Sequence, residues 1–264
     1  MTIGRIFILT DFGNRDYYVA AMKNVITEIA SEVKFIIDIT HEVDRWNITE
    51  GSFILWQFIK RVRDAILVGV VDPGVGGGRR DIVIRCKDNL YLIGPDNGLL
   101  YPAASFKGIE KTYLINIKDK RYFPTISPTF YGRDVYARTA GYIAKGKTEF
   151  LIEIDPTQIV ELDLFKTKES EDGLEGRILH IDRFGNLITN IHCGLLDKHS
   201  ELWIKYKEKI FPLKRVETFS QLKRGELGII CGSSEVYEIV ANLEKASDIT
   251  NFKIGESILI ITKK

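Results

Sequence analysis

Ala65-Ile66-Leu67-Val68-Gly69-Val70-Val71-Asp72-Pro73-Gly74-Val75-Gly76-Gly77-Gly78-Arg79-Arg80 is the stretch on which the reading of this chain turns. Ala65 to Val71 is an uninterrupted apolar run and reads as a buried strand. It stops at a carboxylate, a proline, four glycines and two arginines. Proline sets one bend, and the glycines permit positive φ and a close approach of backbone to a ligand. An acid and a guanidinium are therefore held near one another on a tight loop where a strand ends. Two phosphate-binding signatures do not fit the loop. A P-loop needs Lys-Ser/Thr after its last glycine, and Arg79-Arg80-Asp81 stands there; the dinucleotide fingerprint needs glycine where Arg79 stands.

The residues before this stretch repeat its pattern. Ile6 to Leu9 is a short apolar run ending at Thr10-Asp11-Phe12-Gly13, and Tyr17 to Ala30 carries Val19, Met22, Val25, Ile26 and Ile29 at helical spacing. Phe35 to Ile39 is a second run, ending at Thr40-His41. Asn47 and Glu50 stand at capping-box spacing and open a helix predicted to reach about Arg63. Three successive strand–helix units imply parallel strands, and ligands of open parallel sheets bind outside the carboxyl ends of the strands. Asp11, the 40–46 loop and Asp72 all fall at that edge, so the sequence predicts a pocket there.

Beyond the opening stretch, Ile82 to Cys86 and Leu90 to Ile93 read as a hairpin around Lys87-Asp88-Asn89, followed by the turn-rich Gly94-Pro95-Asp96-Asn97-Gly98. Ser127-Pro128-Thr129-Phe130-Tyr131-Gly132-Arg133-Asp134 leads into a helical pattern that runs to Lys145 and stops at Gly146. Asp155-Pro156 and the charged stretch 166–173 mark a domain boundary, giving an N-terminal α/β domain over 1–165 and a second domain over 172–264. In the second, short alternating segments at 176–181, 186–191, 201–205, 228–231, 237–240 and 257–261 leave little room for helices and indicate a small β-barrel or sandwich.

Composition narrows the function. The 264 residues are 45% hydrophobic and 28% charged, ordinary for a globular protein, and the formal net charge of +1 indicates no general attraction to nucleic acid or to a membrane. No apolar run is long enough to span a bilayer. The three cysteines, Cys86, Cys193 and Cys231, are odd in number and far apart in sequence, which suggests neither a disulfide framework nor a cysteine-rich metal site. With no signal-peptide pattern at the start, a reducing, cytoplasmic setting is the expectation.

Taken together, the motifs resemble the S-adenosyl-L-methionine (SAM) hydroxide adenosyltransferases, or SAM hydrolases, relatives of the SAM-dependent chlorinases and fluorinases. The resemblance rests on Thr10-Asp11-Phe12-Gly13, Val71 to Gly76 with Arg79-Arg80, Gly94 to Gly98, Thr129-Phe130 with Gly132-Arg133-Asp134, Asp182-Arg183-Phe184-Gly185-Asn186 with Thr189-Asn190, and Ser233-Ser234, in the family's order. It implies an N-terminal parallel-sheet α/β domain, a smaller C-terminal β-barrel and a homotrimer with active sites shared between subunits. It also implies the reaction, in which a nucleophile displaces methionine from the ribose C5′ of SAM; with water the products are adenosine and L-methionine. No metal and no cofactor is implied, because SAM is the substrate and its sulfonium departs as a neutral thioether. By motif, Asp72 and Arg79 fall on the groups that hold and activate water, Asp11 on the ribose-binding acid and Trp46 on a sugar-packing tryptophan. Asp182 and Ser233, with Ser234 beside them, match positions holding the methionine end, and Phe184 and Asn186 match adenine contacts.

Three departures bear on the chemistry. The hydrolases carry histidine before Gly-Arg-Asp, where this chain has Tyr131, as halogenases do; Tyr131 can donate a hydrogen bond to water. Asp72 points the other way, because halogenases carry tyrosine at its position and a carboxylate repels a halide. Gly232 and Glu235 replace the asparagine and glycine that flank the serine pair in the family. The expected activity is hydrolysis, with a SAM-dependent halogenase or a non-catalytic SAM- or adenosine-binding protein as the alternatives.

Overall fold

Alternate residues of the apolar runs point to opposite sides of one sheet, which is why those runs have no polar phase. In the computed structural model, which describes residues 3–199 and 201–263, the chain divides into units 1–162 and 163–264. The first unit contains β1 (Arg5–Thr10), β2 (Phe35–Thr40), β3 (Ala65–Val70), β4 (Asp81–Cys86), β5 (Leu90–Pro95), β6 (Ile109–Ile115) and β7 (Leu151–Ile154), in the order β2-β1-β3-β5-β4-β6-β7. Ile6, Ile8, Ile66 and Val68 join Met22 and Ile26 of α1 (Tyr18–Ile29) in one core. Phe7, Leu9 and Leu67 join Leu55 and Ile59 of α2 (Ile48–Ile59) and Ala103 of α3 (Tyr101–Lys107) in the other. Each fully buried Leu, Ile or Met side chain among these contributes about 1.5–3 kcal/mol.

The parallel set predicted from the strand–helix units is present, since β2, β1, β3 and β5 run parallel. The sheet as a whole is mixed: β4 lies antiparallel between β5 and β6, and β7 is antiparallel to β6. The predicted hairpin causes this change of direction. Asp88 and Asn89 have φ of 59° and 51°, positive values within the three-residue connection 87–89 that joins the paired Cys86 and Leu90.

Helix boundaries differ in detail. Asn47 caps α2 as expected, its side chain accepting from Glu50 N at 3.1 Å. The helix stops at Ile59 rather than near Arg63, because Asp64 turns to a left-handed φ of 49° so that β3 can begin at Ala65. The helical pattern that begins at Gly132 starts with a wide π-helical turn, Gly132–Ala137, before α4 (Arg138–Ala144). α3 is absent from the sequence reading, since its seven residues follow a turn-rich loop and include Pro102; proline is tolerated in a first helical turn.

The second unit resolves the choice between sandwich and barrel. Its strands are β8 (Lys168–Ser170), β9 (Gly173–Ile181), β10 (Leu187–His192), β11 (Glu201–Tyr206), β12 (Lys209–Arg215), β13 (Leu227–Cys231), β14 (Val236–Ala241) and β15 (Ser257–Lys263). They run in the order β10-β14-β13-β12-β11-β15-β9, with β9 pairing back onto β10 to close a barrel and β8 added outside on β9. The interior is aliphatic, including Ile178, Leu187, Ile204, Ile229, Ile239 and Ile260. β12 and the short α5 (Ala246–Thr250) are features the sequence reading lacks; α5 buries Ala246, and Ile249 beside it packs on the same core.

The cysteine reading is corrected here. Cys193 and Cys231 form a disulfide across 38 residues of sequence, with Cα atoms 5.6 Å apart. β10 and β13 both pair with β14, so the residue after one strand and the last residue of the other meet although they are distant in sequence. Cys86 is free and buried, and its burial pushes the thiol up to about 12. Among the described residues no helix is long and apolar enough to cross a membrane.

Candidate active site

The carboxyl edge of the parallel strands opens onto a cavity of about 500 Å³ whose walls include Asp11, Trp46, Asp72, Thr129, Phe130 and Tyr131. Asp11 directly follows β1 and is tied to β3 through its N–H, which donates to Val70 O at 3.3 Å. Its Oδ2 accepts from Trp46 N at 2.9 Å, so the loop after β2 is clipped to the end of β1. Burial raises the Asp11 carboxyl above the usual carboxylate range, with the Trp46 N–H opposing and the Asp72 charge adding to the rise. Trp46 has φ of 63° and is 69% exposed at the mouth. Beneath the edge, buried His41 places Nδ1 2.9 Å from Thr10 Oγ1 and accepts from Gly13 N at 2.7 Å through its carbonyl. His41 thus joins the two loops.

Asp72 and Arg79 meet as the loop predicts. Arg79 Nε donates to both Asp72 oxygens at 3.1 Å, and Nη2 donates to Oδ2 at 2.5 Å, a side-on double contact. Side-chain exposure is 5% for Asp72 and 12% for Arg79, so water screens the pair little. The loop reaches this geometry through Gly76, whose φ is +72° and where a Cβ would lie 2.4 Å from Pro128 O. The Tyr131 ring lies against the guanidinium, 4.9 Å from its carbon to the ring centroid. Arg80 serves elsewhere: it pairs with Asp96 at 2.5 Å and donates to Gln158 O.

Two residues of this cluster escaped the sequence reading. Arg79 Nη1 donates to Asp81 Oδ1 at 2.5 Å, and the fully buried Tyr136 donates its hydroxyl to the same oxygen at 2.6 Å. The adjacency of Asp81 to two arginines was the available signal for the acid. Nothing local marks Tyr136, whose partner is 55 residues away, whereas His41 lies in the 40–46 loop already placed at the pocket edge.

In the barrel unit, Asp182, Phe184, Asn186 and Ser233 line a separate cavity of about 750 Å³ together with Glu238 and Lys245. Asp182 caps its own turn: Oδ1 accepts from Phe184 N and Asn186 N at 2.9 Å each, and Oδ2 accepts from Asn186 Nδ2 at 2.8 Å. Gly185, at φ +81°, makes that turn possible. Phe184 is 76% exposed and available to cover a flat ligand, whereas Ser234 is buried rather than part of the cleft wall. Glu238, unmarked in sequence, has its carboxyl raised by burial and by the charge of Asp182.

A carboxylate–guanidinium pair at the carboxyl edge of a parallel sheet, in a chain that continues into a β-barrel with its own cleft, defines a two-domain enzyme acting on a small molecule. The comparisons with known proteins make the class specific. Residues 6–151 match the SAM hydroxide adenosyltransferase N-terminal domain and residues 176–259 the C-terminal domain of the same name. The chain belongs to the SAM hydroxide adenosyltransferase family. It is 36% identical to the (R)-S-adenosyl-L-methionine hydrolase of Methanocaldococcus jannaschii, with 97% of this chain and 95% of that one covered. It is 30% identical to the protein of the same name from Salinispora tropica, covering 97% of each. Among solved structures, an uncharacterized conserved protein from Thermotoga maritima superposes with a TM-score of 0.87 at 30% identity, covering 97% of this chain and 99% of that one.

Proposed function

We propose that this chain hydrolyses SAM to adenosine and L-methionine, with water as the nucleophile at the ribose C5′. The observation that carries the reading is the Asp72–Arg79 pair on the wall of the same cavity as Asp11, in a chain whose relatives are named SAM hydrolases. The water oxygen forms a bond to C5′ as the C5′–S bond breaks. The electron pair leaves with sulfur, which becomes a neutral thioether, and the water proton passes to Asp72. The departing group needs no acid and no metal, so the demand falls on placing and partly desolvating one water in line with the breaking bond. Arg79 pairs side-on with Asp72 and stabilises developing hydroxide character.

The remaining roles are those that the family resemblance implies. Asp11 accepts from the ribose diol and Trp46 covers the sugar. Asp182 and Ser233, with Ser234 behind them, hold the methionine end, and Phe184 and Asn186 contact adenine. Tyr131 contributes its hydroxyl toward water as a hydrogen-bond donor. A homotrimer with shared active sites belongs to the same proposal. So does a cytoplasmic home, which the Cys193–Cys231 bridge challenges because that compartment keeps thiols reduced.

Incubating purified protein with SAM, with and without chloride, and resolving the nucleosides by chromatography tests the reading. Adenosine alone, unaffected by chelator, is expected. A chloride-dependent 5′-chloro nucleoside would replace hydrolysis by halogenation, and bound SAM without turnover would leave a binding protein.

A further inference from the structure

The loop that carries Arg79 is exposed over Pro73 to Gly78 and rich in glycine, a poor platform for a group that must be placed to a fraction of an ångström. What restrains the guanidinium lies on its far side. Asp81 is the first residue of β4, hydrogen-bonded into the sheet opposite Pro95 of β5, and its side chain is 7% exposed. Its Oδ1 receives both Arg79 Nη1 and the Tyr136 hydroxyl, the latter from the π-helical turn. A strand, a buried aromatic and the glycine loop are thus joined through one carboxylate oxygen.

We propose that Asp81 is a positioning residue for the reaction: it holds Nη1 of Arg79 so that the Nε–Nη2 edge faces Asp72, and Tyr136 holds Asp81 in turn. The inference rests on the reading of Asp72 and Arg79 given above. Without Asp81 the guanidinium can swing about its own side chain and meet Asp72 through other donors, and Asp72 then no longer aims at one place. Asp81 also sets the charge of the cluster, since a single guanidinium serves two carboxylates. The groups facing Asp81 are Arg79 and Tyr136; across the guanidinium stand Asp72 and the Tyr131 ring, and the Asp11 carboxyl lies within the field of Asp72. Burial pushes the Asp81 carboxyl up, opposed by the Tyr136 hydroxyl and the Arg79 charge and reinforced by Asp72.

Asp81→Asn and Tyr136→Phe in the full chain test this, with adenosine release followed against SAM concentration and pH. Asp81→Asn is expected to lower kcat about tenfold while KM stays within about twofold, because Asp81 is not expected to touch SAM. The acid limb of kcat/KM should also move to lower pH, since the Asp81 carboxyl, whose titration burial raises, is gone. Tyr136→Phe keeps the charge and the ring and should give a smaller fall in kcat at unchanged KM. A folded Asp81→Asn protein with wild-type kcat and acid limb overturns the proposal. If Asp81→Asn does not fold, Tyr136→Phe decides: wild-type kcat overturns it, and reduced kcat at constant KM supports it. Wild-type protein that releases no adenosine removes the functional reading and this inference with it, whereas active wild type with unaffected variants removes the inference alone.

Discussion

Asp72 has to present a carboxylate from a side chain only 5% exposed while leaving an oxygen lone pair for something other than protein. A guanidinium approaching side-on achieves both, because it neutralises the carboxylate from one edge and leaves the opposite edge free. Replacing Asp72 by asparagine keeps the shape and removes the base. Adenosine release should fall by about 10²-fold or more with KM for SAM little changed, and unchanged turnover would take Asp72 out of the mechanism. Tyr131 is the residue at which this chain departs from the family's hydrolases. Its ring against Arg79 is a contact of the cation–π kind, worth about 0.5–2 kcal/mol, so it helps seat the guanidinium whatever its hydroxyl does. Asp72, Arg79 and Asp11 were legible as candidates because strand, acid and glycine loop are neighbours in sequence. Asp81, Tyr136 and Glu238 were not, because each owes its role to a partner on another element.

At the scale of elements, the π-helical turn is the part least readable as a pattern and most consequential for the site. It delivers the Tyr136 hydroxyl to Asp81, while Asp134 in the same turn holds the preceding loop through Ser127 N at 2.8 Å and pairs with Arg133 through contacts of 2.7 and 2.9 Å. That loop in turn supplies Pro128, against which Gly76 is packed. Burial by itself would raise the Asp134 carboxyl, but Arg133 and the Ser127 N–H outweigh it and hold the group below its ordinary value of 3.8. A folded-state value below the unfolded one means that this group's stabilisation is complete above about pH 4 and is lost as pH falls through the folded value. Asp134→Asn should therefore cost about 1 kcal/mol at neutral pH, a Tm lower by ~2–4 °C. The gap to wild type should narrow as pH drops below about 4 in thermal melts; a pH-independent gap would contradict the assignment.

At the scale of the whole molecule, the disulfide ties together two strands of the barrel unit that are distant in sequence. It closes a loop of 38 residues in the barrel unit and spans the base of the segment 232–235 that carries Ser233. A cross-link over a loop of that length removes about 4 kcal/mol worth of unfolded-state freedom. Barrel stability should accordingly fall on adding reductant, and the double replacement of Cys193 and Cys231 by serine should melt lower and show no response to reductant. Equal melting of the oxidised and reduced protein would remove the bridge from the stability of the fold.

What the amino-acid sequence determined by itself was whatever is encoded over short distances: apolar runs that demand a buried parallel sheet, the Asp-Asn turn, the Asn47 cap, the alternating segments of the second unit, and an acid and a guanidinium seven residues apart on one loop. Tertiary structure alone decided which strands close into a barrel, that Cys193 meets Cys231, that Arg80 turns away to Asp96, and that Asp81 and Tyr136 stand behind Arg79. The division has one physical cause. Local structure follows from periodicity and backbone preference within a few residues, whereas a buried polar contact exists only when packing brings together groups that the chain keeps far apart.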